Sequence, residues 1–233
     1  MFGQKLLQQC TLHATAQAEY RECLELIPGW SGFTQPNIIA LPDIAIQHRK
    51  NEVFTLIFLS RIHPKKGLEL LFEAVSKLNF EVKLKIAGSG EEDYIEQLKQ
   101  LSVKVNISQK IEWLGWKNRE DKFTELMNAD LFTLVSLNEN FANVVVEALH
   151  MGTAVLVSED VALSNFVNQT STGWVCSLNV NDMIAKITLA HGQVNKLQDI
   201  RNNGRNIIEE NFSEKKLISA YLKNYNQVAA NNS

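Results

Sequence analysis

Cysteine is scarce in this chain and unpatterned: Cys10, Cys23 and Cys176 are the three in 233 residues, with no C-x-x-C pair. An odd, sparse set excludes a disulfide framework and points to a reducing compartment. The 5 histidines are scattered, so no zinc site is expected and no metal ligand set is assigned. Neither sign of charge dominates. Against 26 acidic side chains stand 23 basic ones, a net charge of −3, which leaves no footprint for nucleic acid or for a whole membrane face. Long apolar runs are missing, which excludes a transmembrane helix. The opening MFGQKLLQQC lacks the apolar core of a signal peptide. A cytoplasmic location is the expectation, with peripheral contact to a membrane surface left open. Repeats and low-complexity tracts are absent. So is a G-x-G-x-x-G with a ribose acid downstream, which counts against an NAD-dependent enzyme.

What is present is the composition of an ordinary globular protein, 45% hydrophobic and 21% charged. From Val53 onward, short β-rich runs alternate with helical ones. Strands are expected at 53–60, 82–87, 110–114, 131–135, 154–157 and 173–176. Helices are expected at 68–78, 91–105, 118–128, 141–151, 163–167, 182–191, 196–211 and 213–228, the last capped by Ser213. Such alternation predicts an α/β fold with a parallel sheet and helices on both faces. Upstream, part of 5–26 reads as an amphipathic helix, and 28–51 as loop with a brief strand at 38–40.

The most informative stretch is DLFTLVSLNENFANVVVEALHMGTAVLV, from Asp130 to Val157. Strand, polar loop, helix and strand make a βαβ unit with a right-handed crossover. Glu139 falls in the loop at a strand's carboxyl end, where open α/β sheets bind ligands. Glu147 follows two turns on, at a spacing that can share its face. Its neighbours Val144, Val145, Val146, Ala148 and Leu149 are apolar, and a carboxylate among them is costly without a partner. Glu147 is therefore either on a solvated stripe or part of a site.

A basic loop, Ser60-Arg61-Ile62-His63-Pro64-Lys65-Lys66-Gly67-Leu68, follows the first strand of the alternation. Cations at a helix start oppose its dipole unless an anion sits among them. The two readings are an anion cradle and a pair of solvated lysines. His63 reads as a solvent-facing loop residue. Downstream, Gly88-Ser89-Gly90 turns into an acidic helix start, and Trp113-Leu114-Gly115-Trp116-Lys117 offers a core tryptophan followed by two exposed candidates.

Together these phrases resemble the retaining glycosyltransferases of the GT-B fold, in particular glycosyltransferase family 4, the "glycosyl transferases group 1". The match runs through Ser60, Arg61, Lys66 and Gly67, then Glu139-Asn140-Phe141-Ala142 to Glu147-Ala148, then Gly152-Thr153-Ala154-Val155. Upstream, Leu12-His13-Ala14-Thr15-Ala16-Gln17-Ala18-Glu19 resembles the segment that closes the family's first domain, with His13 in a routine hydrogen bond. The resemblance implies a Rossmann-like, doubly wound parallel sheet, the C-terminal donor domain of a GT-B enzyme. It divides the chain into a remnant of the N-terminal acceptor domain (1–26), a linker (27–52), the nucleotide-sugar-binding domain (53–212) and a C-terminal helix (213–233).

The resemblance also implies roles. Arg61 and Lys66 hold the diphosphate of a UDP- or GDP-hexose, which is substrate rather than cofactor. Gly88 and Gly90 line the donor cleft, and Trp116 and Lys117 approach the nucleobase. The helix start at Phe141, Ala142, Asn143 and Val144 turns N–H groups to sugar or phosphate. Glu139 is the catalytic-site acid on the donor sugar, and Glu147 holds the ribose. Departures stand at Ala142 (usually Gly), at Pro42-Asp43-Ile44 (usually Pro-Asn-Gly) and at Asn165 (often acidic); His150 reads as a surface helix residue. The implied partner is a missing N-terminal domain or a split partner chain. Apolar faces left bare on the remnant and on the final helix, at Leu217, Ile218, Tyr221 and Leu222, predict self-association. The alternative is a non-catalytic nucleotide-sugar-binding or assembly module.

Overall fold

The structure is a computed structural model that describes residues 2–231; Met1 and residues 232–233, the outer ends of the two terminal units, lie outside them. The chain opens with α1 (Phe2–Leu7), β1 (Leu12–Ala14), α2 (Gln17–Leu26) and β2 (Gly32–Thr34). The alternating region follows: β3 (Phe54–Leu59), α3 (Leu68–Ser76), β4 (Val82–Ala87), α4 (Glu92–Lys104), β5 (Ile111–Gly115), α5 (Arg119–Met127), β6 (Leu131–Leu134), α6 (Asn143–His150), β7 (Ala154–Ser158), α7 (Ser164–Gln169) and β8 (Gly173–Cys176). Helices α8 (Val180–Gly192), α9 (Val194–Phe212) and α10 (Glu214–Asn231) complete it.

Strands β3 to β8 form one parallel sheet in the order β5-β4-β3-β6-β7-β8. Counted along the chain this is 3-2-1-4-5-6, the doubly wound order. The winding reverses between β3 and β6, where Leu56 faces Leu131 and Ile57 faces Phe132. β6 and β7 are buried along their whole length, which accounts for their unbroken apolar runs. β4 alternates instead, and Lys85 on its polar side reaches Glu125 of α5 at 2.7 Å. Asn118 and Asn179 cap α5 and α8 with side-chain oxygens, so α8 starts two residues before the expected position. Asp130 ties three elements together: its Oδ2 accepts from Thr55 N–H and from Asn51 at 2.9 Å, and its other oxygen pairs with Arg201 of α9. Burial pushes the Cys176 thiol up to about 12, the behaviour of an inert core cysteine.

Three expectations are corrected outside the site. The strand at 38–40 does not form; β2 lies earlier and pairs in parallel with β1. Ile39 is buried all the same, so its apolar signal reports core packing without a ladder. Residues 40–48 are strapped down by side chains: Arg119 donates to Ala40 O, His150 to Pro42 O, Arg205 to Ile44 O, and His48 to Met127 O. His150 is accordingly a buried strap residue and not a surface one. On α10, Leu217 is buried and Tyr221 stacks on Tyr225, leaving Ile218 and Leu222 exposed. The two tyrosines close around His13, whose Nδ1 accepts from Tyr225 OH at 3.0 Å while Nε2–H donates to Gln35 O. The final helix thus lays part of its apolar face on the β1–β2 pair. Among the described residues no helix is long and apolar enough to cross a membrane.

Candidate functional site

The loops that follow β3 and β6 meet at the reversal of the winding. Gly67 makes the meeting: it holds φ +68, and a methyl group there would lie 2.3 Å from Val135 O. The Ser136 hydroxyl donates to Lys65 O at 2.9 Å, and Leu137 N–H donates to the same oxygen at 2.8 Å. His63 is no idle loop residue, since its Nδ1 accepts from Lys65 N–H at 3.1 Å and caps a single 3-10 turn, Pro64–Lys66. Both lysines sit in that turn rather than in α3. Lys65 points to solvent, whereas Lys66 is half-buried and ion-paired with Glu139. Glu139 is fixed by its own backbone, donating to Asp160 O at 3.1 Å and accepting from Ala162 N–H at 3.0 Å. One ion pair therefore bridges the two sides of the crevice.

Beside it lies a cleft of about 420 Å³, lined in part by Arg61, Gly88, Trp116, Lys117 and Lys122. Arg61 is exposed on the loop after β3. Gly88 lets the loop after β4 approach closely, since a methyl group there would meet Ser60 O at 1.9 Å. Gly90 bridges to Ile62 and is not on the cleft wall; its missing side chain serves loop packing. Trp116 stands at the cleft 72% exposed, while Trp113 packs edge-on against Phe72.

Helix α6 begins at Asn143, two residues later than expected. Phe141 is buried, its ring packed in the core against Phe212 at 5.8 Å. Ala142 occupies the position before the helix at φ +62 and ψ +66, the left-handed region that costs a non-glycine residue about 1–2 kcal/mol. That cost is the physical content of the glycine expected there. Asn143 accepts from Asn37 at 3.1 Å, and Val144 is half-buried. Because Glu139 precedes the helix, the two acids do not share a helix face, and that expectation is corrected. Glu147 is not on a solvated stripe either. It is buried, and its Oε1 accepts from Lys122 Nζ at 2.7 Å. Lys122 is the residue that sequence reasoning missed. It belongs to no motif; the available signal was the acid on an apolar helix, which needed a cation from elsewhere.

Glu139 itself lines a smaller cavity of about 180 Å³, together with Glu19, Glu22, Glu159, Asp160 and Asn165 among others. Glu19 of α2 accepts there from Asn140 at 2.8 Å and from both donors of Thr15. Among the described residues no group of three acidic, histidine or cysteine side chains is arranged to hold a metal. The expected site residues thus divide. Arg61, Gly88, Trp116 and Lys117 share the cleft, Lys66 and Glu139 form the bridge, Glu147 lies behind Lys122, and Gly90 and the Phe141 ring stand apart.

Residues 42–207 match the family model described as "Glycosyl transferases group 1". An uncharacterized glycosyltransferase of Methanocaldococcus jannaschii is 28% identical over 68% of this chain and 41% of its own length. The lipopolysaccharide core biosynthesis glycosyltransferase LpsE of Rhizobium meliloti is 24% identical over 83% of this chain and 56% of its own. The chain spans about half the length of the curated relatives it matches. Among solved structures, HepE of Anabaena in complex with UDP and glucose superposes with a TM-score of 0.84 at 18% identity, over 97% of this chain and 66% of that one. A sucrose-phosphate synthase from Thermosynechococcus elongatus superposes equally well, with a TM-score of 0.84 at 18% identity, over 98% of this chain and 61% of its own. At such identity these likenesses concern the fold.

Proposed function

This chain belongs to the glycosyl transferases group 1 family, as a domain of GT-B architecture, and on that premise we propose that it is the donor-binding part of a retaining glycosyltransferase of family 4. The observation that carries the reading is the placement of Arg61 and Lys66 after β3 against Glu139 after β6, at the switch point of the doubly wound sheet. Ligands of open α/β sheets bind at that point, outside the carboxyl ends of the strands. A nucleotide-sugar such as a UDP- or GDP-hexose is the substrate, in line with UDP and glucose in the structure of HepE. Its base rests near Trp116 and Lys117, its ribose near Glu147, its diphosphate against Arg61 and Lys66, and its hexose against Glu139 and the α6 N-terminus.

In transfer, the bond from the anomeric carbon to the diphosphate oxygen breaks. A bond to the acceptor oxygen forms on the same face as the acceptor hydroxyl gives its proton to the departing diphosphate. The protein's main contribution is to stabilise charge growing on the diphosphate, a task Arg61 and Lys66 do without a metal. Residues 1–26 are read as the end of an acceptor domain, 27–52 as the linker, 53–212 as the donor domain and 213–233 as a C-terminal helix that returns to the first unit. The acceptor is a glycan, lipid or small molecule, and the setting is cytoplasmic.

A second reading, an assembly module that self-associates or takes a partner chain, is favoured by the small β1–β2 pair and by exposed Leu6, Leu7, Leu26 and Leu222. Adding the N-terminal domain of a relative in trans separates the two, since only the first reading expects transfer to appear.

Calorimetry with UDP and GDP in chelator tests the donor site. Binding without metal is expected. Arg61→Ala should cost about 1.5–3 kcal/mol of it, against a few tenths for the solvated Lys65→Ala. Strict metal dependence, or equal losses in the two variants, would remove the assigned diphosphate site.

A further inference from the structure

Lys122 is the one cation in the cleft that is bonded to a buried acid. Glu147 is embedded on α6 between Val146 and Ala148, both fully buried. A lone ionised carboxylate in that setting would be strongly disfavoured. Lys122, from the facing helix α5, meets Oε1 at 2.7 Å, with its own side chain about a quarter exposed and that of Glu147 about a tenth. Lys122 also lines the cleft with Arg61 and Trp116. The pair thus has a dry end in the core and a wet end in the cleft. A carboxylate has two oxygens and about four acceptor sites. Lys122 occupies one oxygen and leaves acceptor capacity on the group.

We propose that Lys122 is a positioning residue: it holds Glu147 in place so that the carboxylate reads the ribose hydroxyls of the donor, which makes the site selective for ribonucleotides over deoxyribonucleotides. This rests on the donor-site reading above. Arginine would not replace lysine equivalently, because its planar fork takes both carboxylate oxygens. A methionine at 122 keeps the length and removes the charge. Without the ammonium, Glu147 loses the partner that holds it in place and ceases to accept from both hydroxyls of the diol.

The test measures UDP and 2′-deoxy-UDP binding by calorimetry on the full chain, in wild type, K122M, E147Q and K122M/E147Q. Wild type should prefer the ribonucleotide by roughly tenfold or more, the worth of a charge-assisted hydrogen bond. K122M and E147Q should each lose most of that preference while still binding through Arg61. The double variant should be no less selective than E147Q. K122M with the wild-type ratio would overturn the inference and leave the donor site standing. K122M binding UDP more tightly than wild type would overturn it too, since Lys122 would then be shielding Glu147. If K122M does not fold, E147Q and the double variant decide: a further fall in the ratio means Lys122 touches the ligand on its own account. Failure of wild type to bind UDP at all sinks both the donor-site reading and this one.

Discussion

Gly29 and Gly67 both have left-handed backbones but differ in what surrounds them, and the difference sets a measurable cost. Gly29 has φ +78 with nothing within 4 Å of where a methyl group would go. Gly67 has φ +68, and the same methyl group would stand 2.3 Å from Val135 O and 3.4 Å from a Val135 methyl. In Gly29→Ala only the backbone term acts. The left-handed region costs alanine about 1–2 kcal/mol, partly offset by about 0.4–1 from the stiffer unfolded chain, a net loss of about 0.5–1 kcal/mol. Gly67→Ala adds an overlap with backbone that cannot rotate away, at about 1–3 kcal/mol for overpacking. Its total is about 2–4 kcal/mol. With a urea m-value near the upper end of about 1–3 kcal/mol/M, the midpoint should fall by about 1 M, against a few tenths for Gly29→Ala. Equilibrium urea unfolding followed by tryptophan fluorescence measures both. Indistinguishable midpoints would show that the loops after β3 and β6 are free to separate, and the account of the crevice would fail with them.

His48 and His150 each bury one unpaired ring nitrogen, and burial holds both below the ordinary histidine value of 6.5. The unfolded chain then binds more protons than the folded one, so stability should be full above about pH 7 and fall as pH drops below 6.5, through the range where only the unfolded histidines charge. Urea melts at about pH 7.5 and 5.5 should show a smaller loss in His48→Gln/His150→Gln than in wild type; equal losses would assign the effect elsewhere. Trp116→Ala should leave the urea midpoint nearly unchanged, the side chain being 72% exposed, but weaken UDP binding by about 1–3 kcal/mol if the base stacks there. Unaltered calorimetric affinity would remove Trp116 from the site.

The parallel sheet was legible because its signal is local. Each of β4 and β8 occupies the residues that alternation marked, and the other sheet strands differ by a residue or two at their ends. Strand order needed the structure, because hydrophobic pattern says that a strand is buried and not beside which neighbour. In the candidate site, phrases singled out Arg61, Lys66, Glu139 and Glu147. They could not show that each of the two acids has a lysine from another element on it. Lys122 lies 25 residues from Glu147 in sequence, at a position that any solvated helix face would fill with lysine. The start of α6 was misread for a related reason. Phe141 and Ala142 look helical by type, yet the phenyl ring packs in the core against Phe212 and Ala142 turns left-handed ahead of the first helical residue.

Two charge pairs of the crevice are made before any ligand arrives, Lys66 with Glu139 and Lys122 with Glu147, while Arg61 forms no ion pair among the described residues. On the proposed reading this ordering governs what the site accepts. Arg61 is free to meet an incoming diphosphate. For Lys66 to follow, it must leave Glu139, and a half-buried carboxylate abandoned by its cation is costly. A bare nucleoside diphosphate offers nothing in exchange. A nucleotide-sugar offers hexose hydroxyls, which can donate to Glu139 as Lys66 turns to the phosphate. The switch of partners then makes full use of Lys66 conditional on the presence of the sugar, so one ion pair at the switch point links recognition of the hexose to neutralisation of the group that leaves it.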